Sequence, residues 1–289
     1  MGAGDEWTPE GLRLRALVSA DLAAAQALSA AARWPHRVAD WAAAVKLGAG
    51  LVAEHGGRVV ATGAAWSWGE RHATIGLMIV APDFRGRGLG RRLLTTLLDG
   101  LGGRTVLLHA TEEGRALYRR MGFARVGELR QHQGTARPSA PTELAAGWRL
   151  RPAGQRDRDT LIALDARARG MPRGDLIADL LDEADATIVV NHNDEAHGFA
   201  MLRRFGRGHA IGPVVASDDA GAKALIAHLS GMNAGRFTRI DVDPDCGLGP
   251  WLERLGLTTV DTATAMVRGA PLANAADLRL YAAVSQALG

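Results

Sequence analysis

The stretch that decides the fold is Val80-Ala-Pro-Asp-Phe-Arg85-Gly-Arg-Gly-Leu-Gly90-Arg-Arg, which lies between an apolar run and a leucine-striped segment. Its glycines, Gly86, Gly88 and Gly90, allow backbone N–H groups to approach an anion without interference from a Cβ atom. A helix that begins here presents its unpaired N–H groups and the positive end of its dipole to the same place. The stretch predicts an anion-binding loop, with a basic glycine turn that only caps an exposed helix as the structural alternative.

The spacing of the loop excludes two well-known glycine motifs. No Gly-Lys-Ser/Thr follows, so it is not a Walker loop, and its Gly-x-Gly-x-Gly order differs from the dinucleotide-binding fingerprint. Positive charge comes from four arginines in the loop and the first turn of the segment after it: Arg85, Arg87, Arg91 and Arg92.

Hydrophobic periodicity assigns the flanking segments. A strand over His72 to Val80 precedes the loop, and a helix with an apolar face from Leu89 to Leu101 follows it. The remaining segments of this half alternate between the two types: strands at 13–16, 51–54, 58–66, 106–110 and 123–128, and helices from Asp21, over 39–47 and over 112–121. They predict a mixed α/β sheet with helices on both faces.

A repeat with an offset of 134 to 136 residues runs through the chain. At an offset of 136, Arg13-Leu14-Arg15 aligns with Arg149-Leu150-Arg151, and Asp21 falls on Asp157. The stretch between the copies, 134–142, is rich in Pro, Ser and Thr and is typical of a linker. We therefore expect two copies of one fold over residues 1–137 and 147–289, joined by a linker at 138–146, with a terminal helix from Leu272 to Leu288.

Composition excludes several classes of protein. At roughly 150 residues per domain, 289 residues with 47% hydrophobic and 22% charged content predict a two-domain globular protein. The acidic N-terminus and the absence of an apolar run of ~18 residues predict a cytoplasmic protein without a membrane span. The single cysteine, Cys246, cannot close an intrachain disulfide. Dispersed arginines and 5% aromatics argue against nucleic-acid binding, and His192 and His197 in a polar turn favour a solvated hairpin over a metal site.

A second stretch, Ala110-Thr-Glu-Glu-Gly-Arg-Ala-Leu-Tyr118-Arg-Arg-Met-Gly-Phe123, follows the loop by some thirty residues. Together the two stretches resemble the GNAT superfamily of acyl-CoA-dependent N-acyltransferases. The second half resembles, more loosely, the divergent domain that some tandem GNAT proteins carry. The resemblance implies two tandem GNAT-like domains of the α/β (α+β) class, each a mixed, mainly antiparallel twisted sheet flanked by helices.

The same resemblance implies site residues for acetyl-CoA, the expected co-substrate. The strand ending at Val80 would splay from its neighbour and pair its backbone, at Met78 and Val80, with the pantetheine arm. The pyrophosphate would lie on Arg85, Gly86, Arg87, Gly88, Leu89, Gly90 and Arg91. Tyr118 would protonate the CoA thiolate, and a phenol of pKa near ~10 can donate to a thiolate whose acid has a pKa of about 8.5; a core tyrosine is the alternative. Thr111 stands where many family members have Asn.

The general base has no clear candidate. An acceptor amine of pKa near ~10.4 is mostly protonated at neutral pH, so a base or a water relay is needed. The strand Ile75 to Val80 offers no carboxylate, whereas many GNAT enzymes have a glutamate there. We predict His109, at the end of the next strand, as the catalytic base. His72 and Glu70 are the other candidates for this role.

The second copy lacks these features. The repeat places Ala224 and Ile226 where Gly88 and Gly90 stand, Leu252 where Tyr118 stands, and Asp218 and Asp219 where a phosphate would need positive charge. The two aspartates are good residues for starting a helix. We expect this half to keep the fold without binding acyl-CoA and to pack on the first half as a pseudo-dimer.

The sequence thus predicts an N-acetyltransferase that moves acetyl from acetyl-CoA to a small-molecule or peptide amine by direct attack in a ternary complex. The alternative is a non-catalytic sensor or interaction module that binds CoA or acyl-CoA. No metal, nucleic-acid or membrane partner is expected, and the chain is expected to be a monomer or a homodimer.

Overall fold

The computed structural model describes residues 6–7, 11–138 and 142–289. Within these residues the first half contains seven strands and four helices, with short 3-10 turns between some of them. In chain order they are β1 (Glu6–Trp7), β2 (Leu12–Ala16), α1 (Leu22–Ala31), α2 (Val38–Lys46), β3 (Ala49–His55), β4 (Arg58–Trp68), β5 (His72–Val80), α3 (Leu89–Leu101), β6 (Thr105–Ala110), α4 (Arg115–Arg120) and β7 (Ala124–Thr135).

The second half repeats this order from β2 onward and adds one strand. Its elements are β8 (Trp148–Pro152), α5 (Arg158–Arg169), α6 (Gly174–Glu183), β9 (Ala186–His192), β10 (Glu195–Phe205), β11 (Gly208–Ala216), α7 (Asp219–Met232), β12 (Phe237–Val242), α8 (Gly249–Arg254), β13 (Thr258–Arg268) and β14 (Arg279–Ala282). The predicted fold class is confirmed.

An ion pair near the start of each half confirms the repeat. Arg15 holds Asp21 through two hydrogen bonds of 2.7 and 2.8 Å, and Arg151 holds Asp157 through two of 2.8 Å. Each aspartate also accepts a hydrogen bond from a backbone N–H three residues earlier. All these positions are related by the offset of 136, so the same local device fixes the first helix of each copy.

Both halves contribute to one continuous sheet of the described residues, in the order β1-β2-β3-β4-β5-β6-β13-β7-β12-β14-β11-β10-β9-β8. Its pairs are antiparallel except β5 with β6 and β11 with β12. The last strand of each copy has moved into the other copy: β13 pairs with β6, and β7 pairs with β12. The two halves therefore share their central strands.

Helices cover both faces of this sheet. On one face, α3 buries its leucines against β4 to β6, and α7 and α8 do the same in the second half. On the other face lie α1 and α2 for the first half and α5 and α6 for the second. Leu176 of α6 packs in the same cluster as Trp41 of α2, so the halves also share core.

The C-terminal segment does not form the predicted helix. The prediction of a helix from Leu272 to Leu288 is wrong, because within the described residues this segment forms the strand β14 and irregular chain. Tyr281 and Ala282 are buried there because β11 and β12 offer ladder partners, which outweigh a weak helix propensity.

The domain limits and the linker 138–146 stay a prediction. Residues 139–141 lie outside the described residues, and β7 extends to Thr135.

Candidate active site

The first half's sheet opens between β5 and β6. Their parallel ladder ends at Thr74 and Leu107, and beyond these residues the two strands have no partner pairs with each other. β6 is held away by β13 on its other side, where Ala110 pairs with Thr264. The strand ending at Val80 thus leaves one edge of its backbone unpaired, which is the splay expected for a pantetheine-binding strand.

A β-bulge lies at the middle of this unpaired segment. Thr62 of β4 pairs with Ile79 and Ala64 pairs with Gly76, so two residues of β5 oppose one of β4. Leu77 adopts a left-handed conformation with φ of 54°, which costs an L-residue about 1–2 kcal/mol. The buried Thr62 hydroxyl donates a 2.8 Å hydrogen bond to the Leu77 carbonyl and so holds the bulge.

The glycine-rich loop sits at the end of β5 with an open helix start. Gly86 and Gly88 have φ of 76° and 80°, a region that favours glycine, and a Cβ at either would meet open space. Gly88 is the N-cap of α3 and gives it no side-chain cap, while Leu89 is buried beneath the turn. The first N–H groups of α3 therefore have no capping side chain, which suits them to a pyrophosphate.

Arginines surround this helix start. Arg85 donates to the Val80 carbonyl at 3.3 Å and forms a 3.2 Å ion pair with Glu113 at the start of α4. Arg87 lies over the Phe84 ring at 5.0 Å. Arg91 is exposed on the first turn of α3. The loop is thus cationic, and the Arg85 contact with the Val80 carbonyl would have to rearrange where pantetheine pairs with Val80.

Tyr118 projects from α4 toward the opening and is 8% exposed. Its ring packs edge-on against Phe123 at 5.9 Å. A Cβ at Gly114 would lie 2.9 Å from the Tyr118 ring, so glycine at that position makes room for it. Burial raises the pKa of Tyr118 to about 12, so the phenol keeps its proton at neutral pH.

A cavity of about 510 Å³ passes through the sheet at the opening. From the side of α3 and α4 it is lined by Met78, Thr111 and Tyr118. On the opposite side its walls come from the α1–α2 turn, from β7, β12 and β13, and from the segment after β14. One end therefore meets the predicted acyl-CoA groove, and the other faces residues of both halves.

His109 lies at this cavity but is a weak base. Its Nδ1 is 2.9 Å from the carbonyl oxygen of Gln286, which can only accept, so Nδ1 carries the proton. Burial lowers the pKa of His109 to about 4, so its ring is neutral at neutral pH. Its predicted catalytic role stays a prediction, and the contact shows that it also anchors the C-terminal segment.

The other two base candidates lie elsewhere. His72 begins β5 and pairs with Thr105 at the closed end of the β5–β6 ladder, and Glu70 is exposed in the turn before it. Met78 lies six positions further along the strand than His72, and at ~3.3 Å per position the two residues are about 20 Å apart. The structure does not bring the side chains of His72 and Glu70 to the cavity.

Sequence reasoning missed the polar residues that the exchanged strands and the C-terminal segment bring to the cavity. Asp261 of β13 lines it, together with Gln131 and Gln133 of β7 and Gln286 after β14. Asp261 lies opposite Gln131 in the β13–β7 ladder, which exists only because the strands exchange. No local motif marks such a partner, since the pairing joins residues 130 positions apart.

Comparison with known proteins finds the same domain in both halves of the chain. Two models described as an acetyltransferase (GNAT) domain match residues 46–125 and 161–282, one in each half. The chain belongs to the GNAT acetyltransferase family. It is 28% identical over 224 residues to the uncharacterised N-acetyltransferase YitH of Bacillus subtilis, covering 76% of this chain and 77% of YitH.

Solved structures show the same tandem GNAT fold. A Pyrococcus horikoshii protein superposes with a TM-score of 0.79 and 18% identity, over 100% of this chain and 99% of its own. A tandem GNAT protein from the clavulanic acid biosynthesis pathway superposes with a TM-score of 0.64 and 15% identity, over 89% of this chain and 98% of its own. GNAT acetyltransferases use acetyl-CoA, and this chain is an acyltransferase of that family.

The second GNAT domain has its own opening, and β14 fills it. The parallel ladder of β11 and β12 ends at Ile211 and Ile240, and β14 then pairs with β11 from Val214 to Ala216 and with β12 at Val242. The chain itself thus occupies the space that corresponds to the gap between β5 and β6 of the first domain.

Side chains close the rest of this second groove. Asp218 accepts a 2.7 Å hydrogen bond from the Gly221 N–H and caps α7. The Tyr281 hydroxyl of β14 donates to Asp219 at 2.7 Å, at the helix start where a pyrophosphate would lie. Leu252, at the position of Tyr118, is fully buried in the core.

No helix in the described part of the chain is long and apolar enough to cross a membrane. Nor does that part of the chain include a group of three or more His, Cys, Asp or Glu side chains that could hold a metal ion.

Proposed function

We propose that this protein transfers an acetyl group from acetyl-CoA to a primary amine by direct attack in a ternary complex. The observation that carries the proposal is the opening between β5 and β6, where the unpaired edge of β5 and Tyr118 line one cavity and the uncapped start of α3 follows the end of β5. Each feature suits one part of an acyl-CoA: the helix start offers donors to the pyrophosphate, the strand edge offers backbone partners to the pantetheine arm, and Tyr118 offers a proton to the leaving sulfur.

The first domain's backbone would bind and polarise acetyl-CoA. N–H groups at the start of α3 bind the pyrophosphate, and the free edge of β5 at Met78 and Val80 pairs with the pantetheine amides. A bulge leaves one residue outside the ladder. The N–H groups at Leu77 and Met78 are therefore suited to stabilise the negative charge that develops on the thioester oxygen.

Tyr118 would act as the acid. The acceptor's ammonium group first loses a proton to solvent water, and its neutral nitrogen then bonds to the thioester carbon. As the C–S bond breaks, the Tyr118 hydroxyl gives its proton to the leaving sulfur, and the proton that the nitrogen loses on forming the amide returns to the Tyr118 oxygen through solvent. The elevated pKa keeps this proton in place until the thiolate forms. Loss of a positioned acid of this kind lowers turnover by ~10²–10⁴-fold.

Thiol release and product mass test the proposal. The purified protein is mixed with acetyl-CoA and a panel of primary amines, and free CoA is measured with a thiol reagent against the constant signal of Cys246, which is buried. Tyr118→Phe is expected to lower turnover at least ~100-fold while acetyl-CoA affinity, measured by calorimetry, stays within about threefold. Tyr281→Phe removes the chain's other tyrosine hydroxyl and is expected to retain turnover.

Calorimetric stoichiometry separates the two domains. One acetyl-CoA per chain, lost in Gly88→Asp, is expected because β14 fills the second groove. Binding at one site without thiol release for any amine would instead support the sensor function, for which the missing carboxylate on β5 argues. Equal loss of turnover and affinity in Tyr118→Phe would refute the acid role.

A further inference from the structure

The acceptor side of the cavity has a polar floor built from four adjacent strands. β6, β13, β7 and β12 lie side by side only because the two halves exchange their last strands. Their residues at the cavity include Gln131 and Gln133, which hydrogen-bond each other at 3.0 Å, and Arg239. Arg239 is neutralised by Asp241 through two hydrogen bonds of 2.8 and 2.6 Å.

Asp261 is the carboxylate at this floor without a cationic partner. Among the described residues it forms no ion pair; one of its oxygens accepts a 2.8 Å bond from the N–H of Thr262. Arg33, on the α1–α2 turn, lines the cavity as well and, like Asp261, has no ion pair among the described residues that the cavity brings together. Asp261, whose side chain is exposed, is thus the one carboxylate among the described residues that line this cavity, which also holds Tyr118.

A bulge in β13 aims this carboxylate. Thr259 pairs with His132 and Asp261 pairs with Gln131, so Val260 is an extra residue in the ladder. Consecutive strand residues normally face opposite sides of a sheet, but here both Val260 and Asp261 line the cavity. Bulges re-aim side chains in this way beside active sites.

Two buried polar atoms at the same cavity have no hydrogen-bond partner within the described part of the chain. They are Nε2 of Gln286 and Nδ1 of His36. An unsatisfied buried polar atom is costly, so each favours a ligand that supplies a hydrogen-bonding group. His36 is fixed by its edge-on contact with Phe205 at 5.4 Å, so its ring is a preformed part of the wall.

We propose that Asp261 binds the ammonium group of the acceptor, and that Gln286 and His36 hydrogen-bond hydroxyl or amide groups on the acceptor's body. The acceptor class is then a polar, polyfunctional primary amine rather than an alkylamine. This inference rests on the proposed acetyl transfer. Asp261 is a substrate-binding residue in this scheme, and the second domain contributes to specificity without binding acyl-CoA.

Two amines of equal size test the inference. The probes are 3-amino-1,2-propanediol and n-pentylamine, with acetyl-CoA as donor and thiol release as the readout. The wild type is expected to prefer the diol by about tenfold or more in kcat/KM, which is the effect of one or two hydrogen bonds. Equal efficiency with both amines overturns the polar-acceptor class.

Asp261→Asn tests the ammonium site, with Asp99→Asn on exposed α3 as the matched control. Asp261→Asn is expected to raise the KM for the diol about tenfold, with kcat within about twofold and acetyl-CoA affinity unchanged. It is also expected to remove the salt dependence of that KM. An unchanged KM overturns the inference, whereas a wild type that binds acetyl-CoA but acetylates neither amine overturns the proposed transfer itself.

Discussion

Replacing Thr62 with Val is expected to impair turnover through the backbone of β5. The Thr62 side chain has no solvent exposure, and its hydroxyl makes a 2.8 Å hydrogen bond to the Leu77 carbonyl. Valine keeps the shape of the side chain and removes only the donor. The change therefore acts on the left-handed Leu77 and on the bulge that we assign to the thioester oxygen.

The size of the expected loss of turnover follows from two opposing free energies, the cost of the left-handed backbone at Leu77 and the hydrogen bond that holds it. The left-handed backbone costs Leu77 about 1–2 kcal/mol, and one hydrogen bond of ~0.5–1.5 kcal/mol helps to offset it. Without that bond, about 1.4 kcal/mol shifts the equilibrium away from the bulge by ~tenfold. Turnover should fall by about that factor, and the free energy of unfolding should fall by about 1–3 kcal/mol because a buried carbonyl loses its partner.

A second buried threonine supplies the control. Thr74, also on β5, accepts a 3.0 Å hydrogen bond from the indole N–H of Trp68, in the closed part of the ladder away from the bulge. Thr74→Val should lower unfolding free energy by a similar amount in urea titrations and leave kcat within about twofold. If Thr62→Val and Thr74→Val have the same kcat, the bulge has no catalytic role.

Three further predictions concern the acid and the core. Gly114→Ala places a Cβ 2.9 Å from the Tyr118 ring, and the displaced phenol should lower kcat about tenfold or more in steady-state assays with little change in acetyl-CoA affinity. Because the pKa of Tyr118 is raised to about 12, its proton is lost only well above neutrality, so kcat should show no alkaline fall up to about pH 10; a fall at lower pH would contradict the acid role. Asp165→Asn removes the negative charge that the fully buried Arg173 meets at 2.7 Å and should lower the unfolding free energy by about 3–5 kcal/mol in urea titration, unlike the loss of a surface pair.

The local part of the fold could be predicted from the sequence. The strand His72–Val80 and the helix Leu89–Leu101 have the predicted bounds, because alternation, a leucine stripe and glycines at a tight turn are short-range signals. The repeat was detectable for a similar reason: copies of one fold keep the same ion pairs at a constant offset, as Arg15 and Arg151 do.

The non-local part could not be predicted in this way. The bulge at Leu77 depends on a threonine fifteen residues away across the ladder. Asp261 reaches the cavity only through a pairing with Gln131 across the two halves. The sequence predicts a helix where β14 lies, because local sequence says little about the gap that receives this strand. Each of these features depends on which strands become neighbours, and strand pairing leaves weak marks in a single sequence.

The exchange of strands explains why a half without an open cofactor groove is retained in the structure. β13 separates β6 from β7 and carries Asp261 to the opening, while the segment after β14 brings Gln286 to His109. The second domain's own opening is the place where β14 anchors that segment. Filling the second groove and lining the first cavity are therefore done by one continuous segment: β14 fills the groove of one copy, and the residues after it form a wall of the other copy's cavity.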